Sequence, residues 1–244
     1  VKAPIIIADG IRGNYYRAVR VDGKHFKVAF IGGAVLEADA LIVLTHFKGH
    51  GGTGFGGAIK NVGMGLACRK GKLLMHSVVK PTVTEKCIGC GECSFHCPVK
   101  AITVDEKAVI DLEKCVGCGE CIISCPRGAI VSDPVEREEL QERIVEYASA
   151  VIKSLKGRVG FFNFLLDITP HCDCPSWSTK PIIEDIGVLA SKDIVAIDQA
   201  SYDLIVEKAG KDIFKELHSI DPTIQLQYAE KIGLGSREYE LIEI

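Results

Sequence analysis

Not one aspartate or glutamate lies between Asp39 and Glu85, an interval that carries Lys48, Lys60, Arg69, Lys70, Lys72 and Lys80 beside His46, His50 and His76. A dinucleotide site needs an acidic residue about 20 positions beyond its glycines to hold the ribose hydroxyls. The formal match Gly52-x-Gly54-x-x-Gly57 therefore does not describe a nicotinamide-binding loop. No apolar run approaches the ~18 residues of a spanning helix, and the most apolar stretch, Ala38 to Phe47, reads as a buried strand. A net charge of −3 on 244 residues exerts no overall pull toward nucleic acid or a membrane. No leader-like segment opens the chain, because Val1 runs directly into the strand-like Ile5–Ala8. So abrupt a start reads as a portion of a longer host domain.

Cysteine is the residue in excess. Eight of the eleven fall between Cys87 and Cys125, a clustering that points to metal and a reducing cytoplasm rather than a secreted disulfide framework. They form a tandem repeat: Lys86-Cys-Ile-Gly-Cys-Gly-Glu-Cys recurs 28 residues on as Lys114-Cys-Val-Gly-Cys-Gly-Glu-Cys, and Cys97-Pro98 recurs as Cys125-Pro126. Each half reads C-x₂-C-x₂-C-x₃-C-P, in which three closely spaced thiolates can wrap one face of an iron–sulfur cube. In two-cluster ferredoxins the fourth cysteine of each run serves the other cluster. One 4Fe–4S cluster is thus expected on Cys87, Cys90, Cys93 and Cys125, and a second on Cys115, Cys118, Cys121 and Cys97. Gly89, Gly91, Gly117 and Gly119 allow the dihedrals that turn backbone N–H groups toward cluster sulfurs. A zinc ribbon would show paired C-x₂-C knuckles instead.

Three stretches differ in character. Residues 1–80 alternate strand-like runs (Phe26–Ile31, Leu41–Thr45) with a glycine-rich loop and a helix over Ala58–Ala67. Residues 81–131 hold the repeat. Residues 132–244 open on a helix over Val135–Leu155 with Leu140, Ile144, Tyr147, Val151 and Ile152 on one face. Next come a buried strand over Val159–Leu166, a helix from an Asp193 N-cap to Gly210, a helix over Gln225–Ile232 and a closing strand over Tyr239–Ile244. The expected architecture is an α/β host domain, a mixed or parallel sheet covered by helices. Into it is inserted a small α+β ferredoxin-like two-cluster module.

The glycines just ahead of the Ala58 helix suggest a small anionic ligand held by backbone amides and a helix N-terminus. The alternative is a flexible loop whose lysines are solvated or balance the clusters. His46, Lys48 and His50 leave the C-terminal end of a strand, the usual place for α/β chemistry. His171-Cys-Asp-Cys174 follows another strand, and Cys172 and Cys174 could hold a further metal ion with His46 or His50. Otherwise they are two thiols in a tight turn.

The runs Ala40–His50, Gly56–Gly65 and Asp167–Cys174, with Gly187–Ser191 leading to Ala196-Ile-Asp198, resemble the domain-of-unknown-function 362 family. Members often carry a two-cluster ferredoxin module and are usually longer at the N-terminus. Where members often have Asp-Pro-Val-Ala, this chain has Asp193-Ile-Val-Ala. The resemblance implies an iron–sulfur protein and marks Lys48, His50, Lys60, Asn61, Cys172, Cys174 and Asp198 as host positions of interest. Two functional readings follow. In one, an oxidoreductase relays single electrons to or from a site in the host built from the Thr45–Asn61 and Asp167–Cys174 loops. In the other, a non-catalytic carrier or subunit docks its clusters on a redox partner protein.

Overall fold

The computed structural model describes residues 2–76, 80–115, 117, 119–132, 134–174, 177 and 179–244. The chain is a mixed α/β protein of small sheets and eight helices among these residues. It opens with an antiparallel pair, β1 (Tyr16–Arg20) and β2 (Val28–Gly32). Strand β3 (Leu41–His46) follows, then a tight hairpin of β4 (Lys48–His50) and β5 (Gly54–Gly56) and helices α1 (Ala58–Gly65) and α2 (Arg69–His76). The cysteine-rich segment contributes β6 (Thr82–Val83), α3 (Glu92–His96), β7 (Ile102–Val104), β8 (Ala108–Ile110), α4 (Glu120–Ile123) and β9 (Ile130–Val131). After it come α5 (Pro134–Ser154), β10 (Val159–Leu165), β11 (Gly187–Ser191), α6 (Ile194–Ala209), α7 (Ile213–His218) and α8 (Ile224–Lys231).

The central sheet has the order β11-β10-β3, with β10 parallel to β3 and antiparallel to β11. The two-residue strand period puts Val43, Thr45, Phe161, Asn163 and Leu165 on one buried face. Helices α1 and α6 cover it, and α5 and α8 pack beneath them. The other face is open: Ile42 and Leu44 are each 62% exposed. Helix α5 buries Leu140, Ile144, Tyr147 and Val151 as its 3.6-residue period requires. Asp193 caps α6, accepting from the N–H groups of Val195 and Ala196, and Gly210 ends it at φ 68°.

Two expected strands do not form. Ile5 is 96% exposed and Ile5–Ala8 forms no strand, although the Ala8 carbonyl accepts from the N–H of Ala34 at 3.1 Å, and Tyr239–Ile244 likewise runs exposed and forms no strand. Apolar alternation describes what a strand could bury, but a strand also needs a neighbouring edge. The glycine-rich run departs from a flexible loop for the opposite reason. Phe55 of β5 is wholly buried, stacked on Phe47 with centroids 4.8 Å apart and flanked by Phe214 and Tyr202. Burial of one such ring is worth about 2–3 kcal/mol, enough to hold a three-residue strand.

Residues 82–131 close on themselves. β6 pairs with β9, β7 pairs with β8, and Ile102, Ala108, Ala101 and Ile130 form a second apolar cluster with Cys93, Cys97 and Cys121. Ile122 packs against both this cluster and the main core. The sequence repeat is repeated in conformation. Gly91 and Gly119 lead into α3 and α4 at φ 83° and 74°, and Lys100 and Gly128 share φ values of 53° and 55°.

Asp198, on α6, joins these layers. It is wholly buried and accepts from the N–H groups of Ala58 (2.7 Å) and Ile59 (2.8 Å) and from Asn163 Nδ2 (2.8 Å). Burial pushes its pKa up to about 6, against the pull of these donors. Replacement by Ala should cost about 3 kcal/mol, because two amides and Asn163 lose a buried acceptor. Asp198→Asn should cost roughly half as much, since one carbonyl oxygen survives. Urea unfolding of both variants measures this; an unchanged midpoint for the Ala variant would show that Asp198 carries no such weight.

Candidate functional site

The two polar loops meet. The N–H of Gly49 donates to the Thr169 carbonyl at 2.9 Å. A Cβ on Gly49 would fall 2.2 Å from the Pro170 carbonyl oxygen, so only glycine lets the backbones approach this closely. His218 Nε2 donates to the same Pro170 oxygen at 2.8 Å. Lys48 bridges the loops by pairing with Asp173 Oδ2 at 3.2 Å.

Between these loops, α1, α2 and the cysteine-rich segment lies a cleft of about 850 Å³. Its host wall carries Lys48, His50, Lys60, Asn61, Cys172 and Cys174. Helix α2 adds Arg69, Lys72 and His76, and the cysteine-rich segment adds His96, Val99 and Glu120. Four cationic side chains thus face two carboxylates, Asp173 and Glu120, among the described lining residues. The acid-free interval marked the host cations. Nothing local in the sequence showed that His96 and Glu120 complete the opposite wall, because their approach depends on how the segment docks.

Individual placements differ. His50 is buried, and its Nδ1 accepts from the N–H of Gly52 at 3.2 Å, which leaves the proton on Nε2. Burial first, then Lys60 and neighbouring charges, holds its pKa well below the ordinary imidazole value. Asn61 donates to Leu44 O and Thr45 Oγ1 at the end of β3. His76 lies against the segment: its Nδ1 would be 3.0 Å from a Cβ on Gly119, is buried and has no hydrogen-bond partner among the described residues. Burial lowers its pKa to about 4.

Two expectations are corrected here. The amides at the start of α1 do not face the cleft for an external anion, because Asp198 already occupies them from behind. For the same reason Asp198 is a buried capping group rather than a side chain of the cleft. The grouping of His46 with Cys172 and Cys174 does not assemble either. Both ring nitrogens of His46 are turned to oxygens, Nδ1 to Asp173 Oδ2 and Nε2 to Leu166 O, each at 3.0 Å. Among the described residues, no three or more His, Cys, Asp or Glu side chains are placed around a single metal ion.

Cys172 and Cys174 stand side by side on the cleft wall instead, Cys172 buried and Cys174 exposed. The Cys174 N–H points to Cys172 Sγ at 3.4 Å, and Lys60 Nζ stands 3.8 Å from Cys174 Sγ. The adjacent Cys172 thiol, aided by Lys60 and Lys48 against burial, lowers the Cys174 pKa to about 6. The adjacent Cys174 and burial raise that of Cys172.

In the cysteine-rich segment the thiols line two cavities. Cys87, Cys90, Cys93 and Cys125 surround one, and Cys97, Cys115 and Cys121 the other. The eighth expected ligand, Cys118, lies outside the described residues. Backbone N–H groups point at the sulfurs, in matching positions for Ala101 at Cys97 (3.2 Å) and Ala129 at Cys125 (3.2 Å), and in the first half also for Ala108 at Cys87 (3.4 Å). Such donors favour thiolate, the form that binds metal. Cys87 shows the effect, its pKa lowered first by the Ala108 amide and then by that of Gly89. Val99 and Glu120 line both the second cavity and the cleft, so the two share a wall.

Residues 1–203 match the family model described as "Domain of unknown function (DUF362)". The chain belongs to that family. No curated protein matches it. No helix among the described residues is long and apolar enough to cross a membrane.

In the folded protein, iodoacetamide should modify Cys174 faster than Cys172 or Cys68, which are both buried. The rate should fall below a pH of about 6 and level off above it. Peptide mass spectrometry over a pH series reads both effects. A rate midpoint near the ordinary thiol value of about 8.5 would contradict the environment built by Cys172 and Lys60.

Proposed function

We propose that this protein is an iron–sulfur oxidoreductase that relays single electrons between a redox partner protein and a small anionic ligand in the cleft. The observation that carries the reading is the crossed grouping of thiols: Cys125 stands with Cys87, Cys90 and Cys93, while Cys97 stands with Cys115 and Cys121. This is the exchange of fourth ligands that two 4Fe–4S clusters require. The donor set fits, being all thiol, supported by aimed amides and arranged around cavities rather than around a single-ion point. With Cys118, the second set would also number four. When bound, such clusters supply reversible one-electron chemistry.

The rest of the reading concerns the chain's own groups. The first cavity lies toward solvent, with Cys90 exposed and Ile88 presenting apolar surface on its lining, and Phe95 of α3 is exposed as well. A partner protein would dock there. The second cavity shares Val99 and Glu120 with the cleft. Arg69 and Lys72 have no carboxylate partner among the described residues and are placed to receive an anion. Lys48 and His50 are held rigidly, by Asp173 and by the Gly52 turn, as groups that position rather than roam. The exposed Ile88 and Phe95 also favour a second reading, a carrier or subunit whose host domain only docks the clusters on a partner enzyme.

Anaerobically purified protein should contain about eight irons and eight acid-labile sulfides per chain. Cys125→Ser should abolish the same paramagnetic resonance signal as Cys90→Ser, and Cys97→Ser the same signal as Cys115→Ser. Loss of one common signal from Cys97→Ser and Cys125→Ser would refute the crossed ligation. Far fewer than eight irons in folded anaerobic protein would refute the clusters.

A further inference from the structure

One pair of groups in the cleft has no use in single-electron relay. Asp173 turns to His46 and Lys48, while its two neighbours both line the cleft. The Cys174 N–H points at Cys172 Sγ at 3.4 Å, Cys172 is buried and Cys174 exposed, and the Lys60 ammonium stands beside the exposed thiol. An accessible sulfur beside a cation, backed by a sheltered second sulfur, is the arrangement of an attacking and a resolving cysteine.

We propose that Cys172 and Cys174 are a reversible dithiol–disulfide centre that reduces a small anionic disulfide bound in the cleft. The Cys174 thiolate attacks one sulfur of the substrate; the substrate S–S bond breaks and half of it leaves as a thiolate, which takes a proton from solvent. Cys172 then gives up its proton and attacks Cys174 Sγ, the mixed disulfide breaks, and the second half leaves. The substrate has gained two electrons and two protons, and Cys172 and Cys174 are left joined. A disulfide between residues two apart in sequence is strained, which makes it readily reducible. Its return to the dithiol takes two electrons and two protons. This step alone rests on the function proposed above: the two clusters that the eight cysteines would hold would supply one electron each, and Val99 and Glu120 line both the second cavity and the cleft. Two one-electron centres match one two-electron acceptor. The anionic class of the substrate follows from Lys60, Arg69 and Lys72, and its size from the cleft.

The test uses the full chain, prepared anaerobically and treated with glutathione disulfide as the anionic probe. After quenching, denaturing alkylation and peptide mass spectrometry should show the 172–174 peptide two hydrogens lighter and unalkylated, with Cys68 still a thiol. Cys172→Ser should stop at a glutathione adduct on Cys174. Cystamine, a cationic disulfide, should react at least about tenfold more slowly. Titration with reductant should then consume about four electrons per chain, and about two in Cys174→Ser. Fully alkylatable Cys172 and Cys174 in the treated wild-type protein would overturn the proposal, with no variant needed. Equal rates for the two probes would overturn the anionic class. A disulfide that persists while the clusters are reduced would overturn the return step. A titration of about two electrons, all at the disulfide in protein without iron, would uphold the dithiol centre and refute the cluster reading instead.

Discussion

The carboxylate of Asp198 is buried where no water reaches it, and the arrangement of the host follows from how that charge is satisfied. Its acceptors are filled by the first two amides of α1 and by Asn163 at the middle of β10, while its own backbone belongs to α6. A charge left unpaired in such a place costs several kcal/mol, so the three elements cannot shift independently. Because α1 is pinned at its N-terminus, Asn61 on its first turn is fixed against the end of β3, and Lys60 beside it reaches Cys174. The positive end of the helix is thereby spent inside the protein. The cationic character of the cleft comes from side chains instead.

Around that anchor the chain brings together three segments that are distant in sequence. The β4–β5 hairpin is held by Phe55, and the Asp167–Cys174 loop leans on Gly49. The cysteine-rich segment, closed by its own strand pairs, rests on the host through Ile122 and through the contact of His76 with Gly119. The cleft exists only where these three meet. It is also the place where two sets of thiols come near each other: those grouped crosswise around cavities on one side, and Cys172 with Cys174 on the other.

The open face of the central sheet contrasts with this density. Parallel strands are usually covered on both sides, yet Ile42 and Leu44 on β3 face outward, as does Val188 of β11 on the far side of β10. The apolar runs Ile5–Ala8 and Tyr239–Ile244 that looked like strands likewise join no sheet and leave their large apolar side chains exposed. Their composition was read correctly as apolar, but pairing is a property of two segments, and periodicity in one of them cannot supply the other.

Local chemistry was legible in the residues. The tandem cysteine spacing, the faces of α5 and α6, the Asp193 cap and the Gly210 stop all depend on interactions within a few residues, and each can be read from a short window. The acid-free interval likewise announced a basic surface. What the chain alone could not reveal depends on contacts between residues more than a hundred positions apart. His46 looked available as a ligand until Asp173 and Leu166 took its nitrogens, and Asp198 looked like a site residue until burial made it a cap. Spacing determined which cysteines belong to a repeat. Only tertiary packing decided that Cys174 faces Lys60 and that Glu120 closes the cleft, because such distances are set by the core and not by the order of residues.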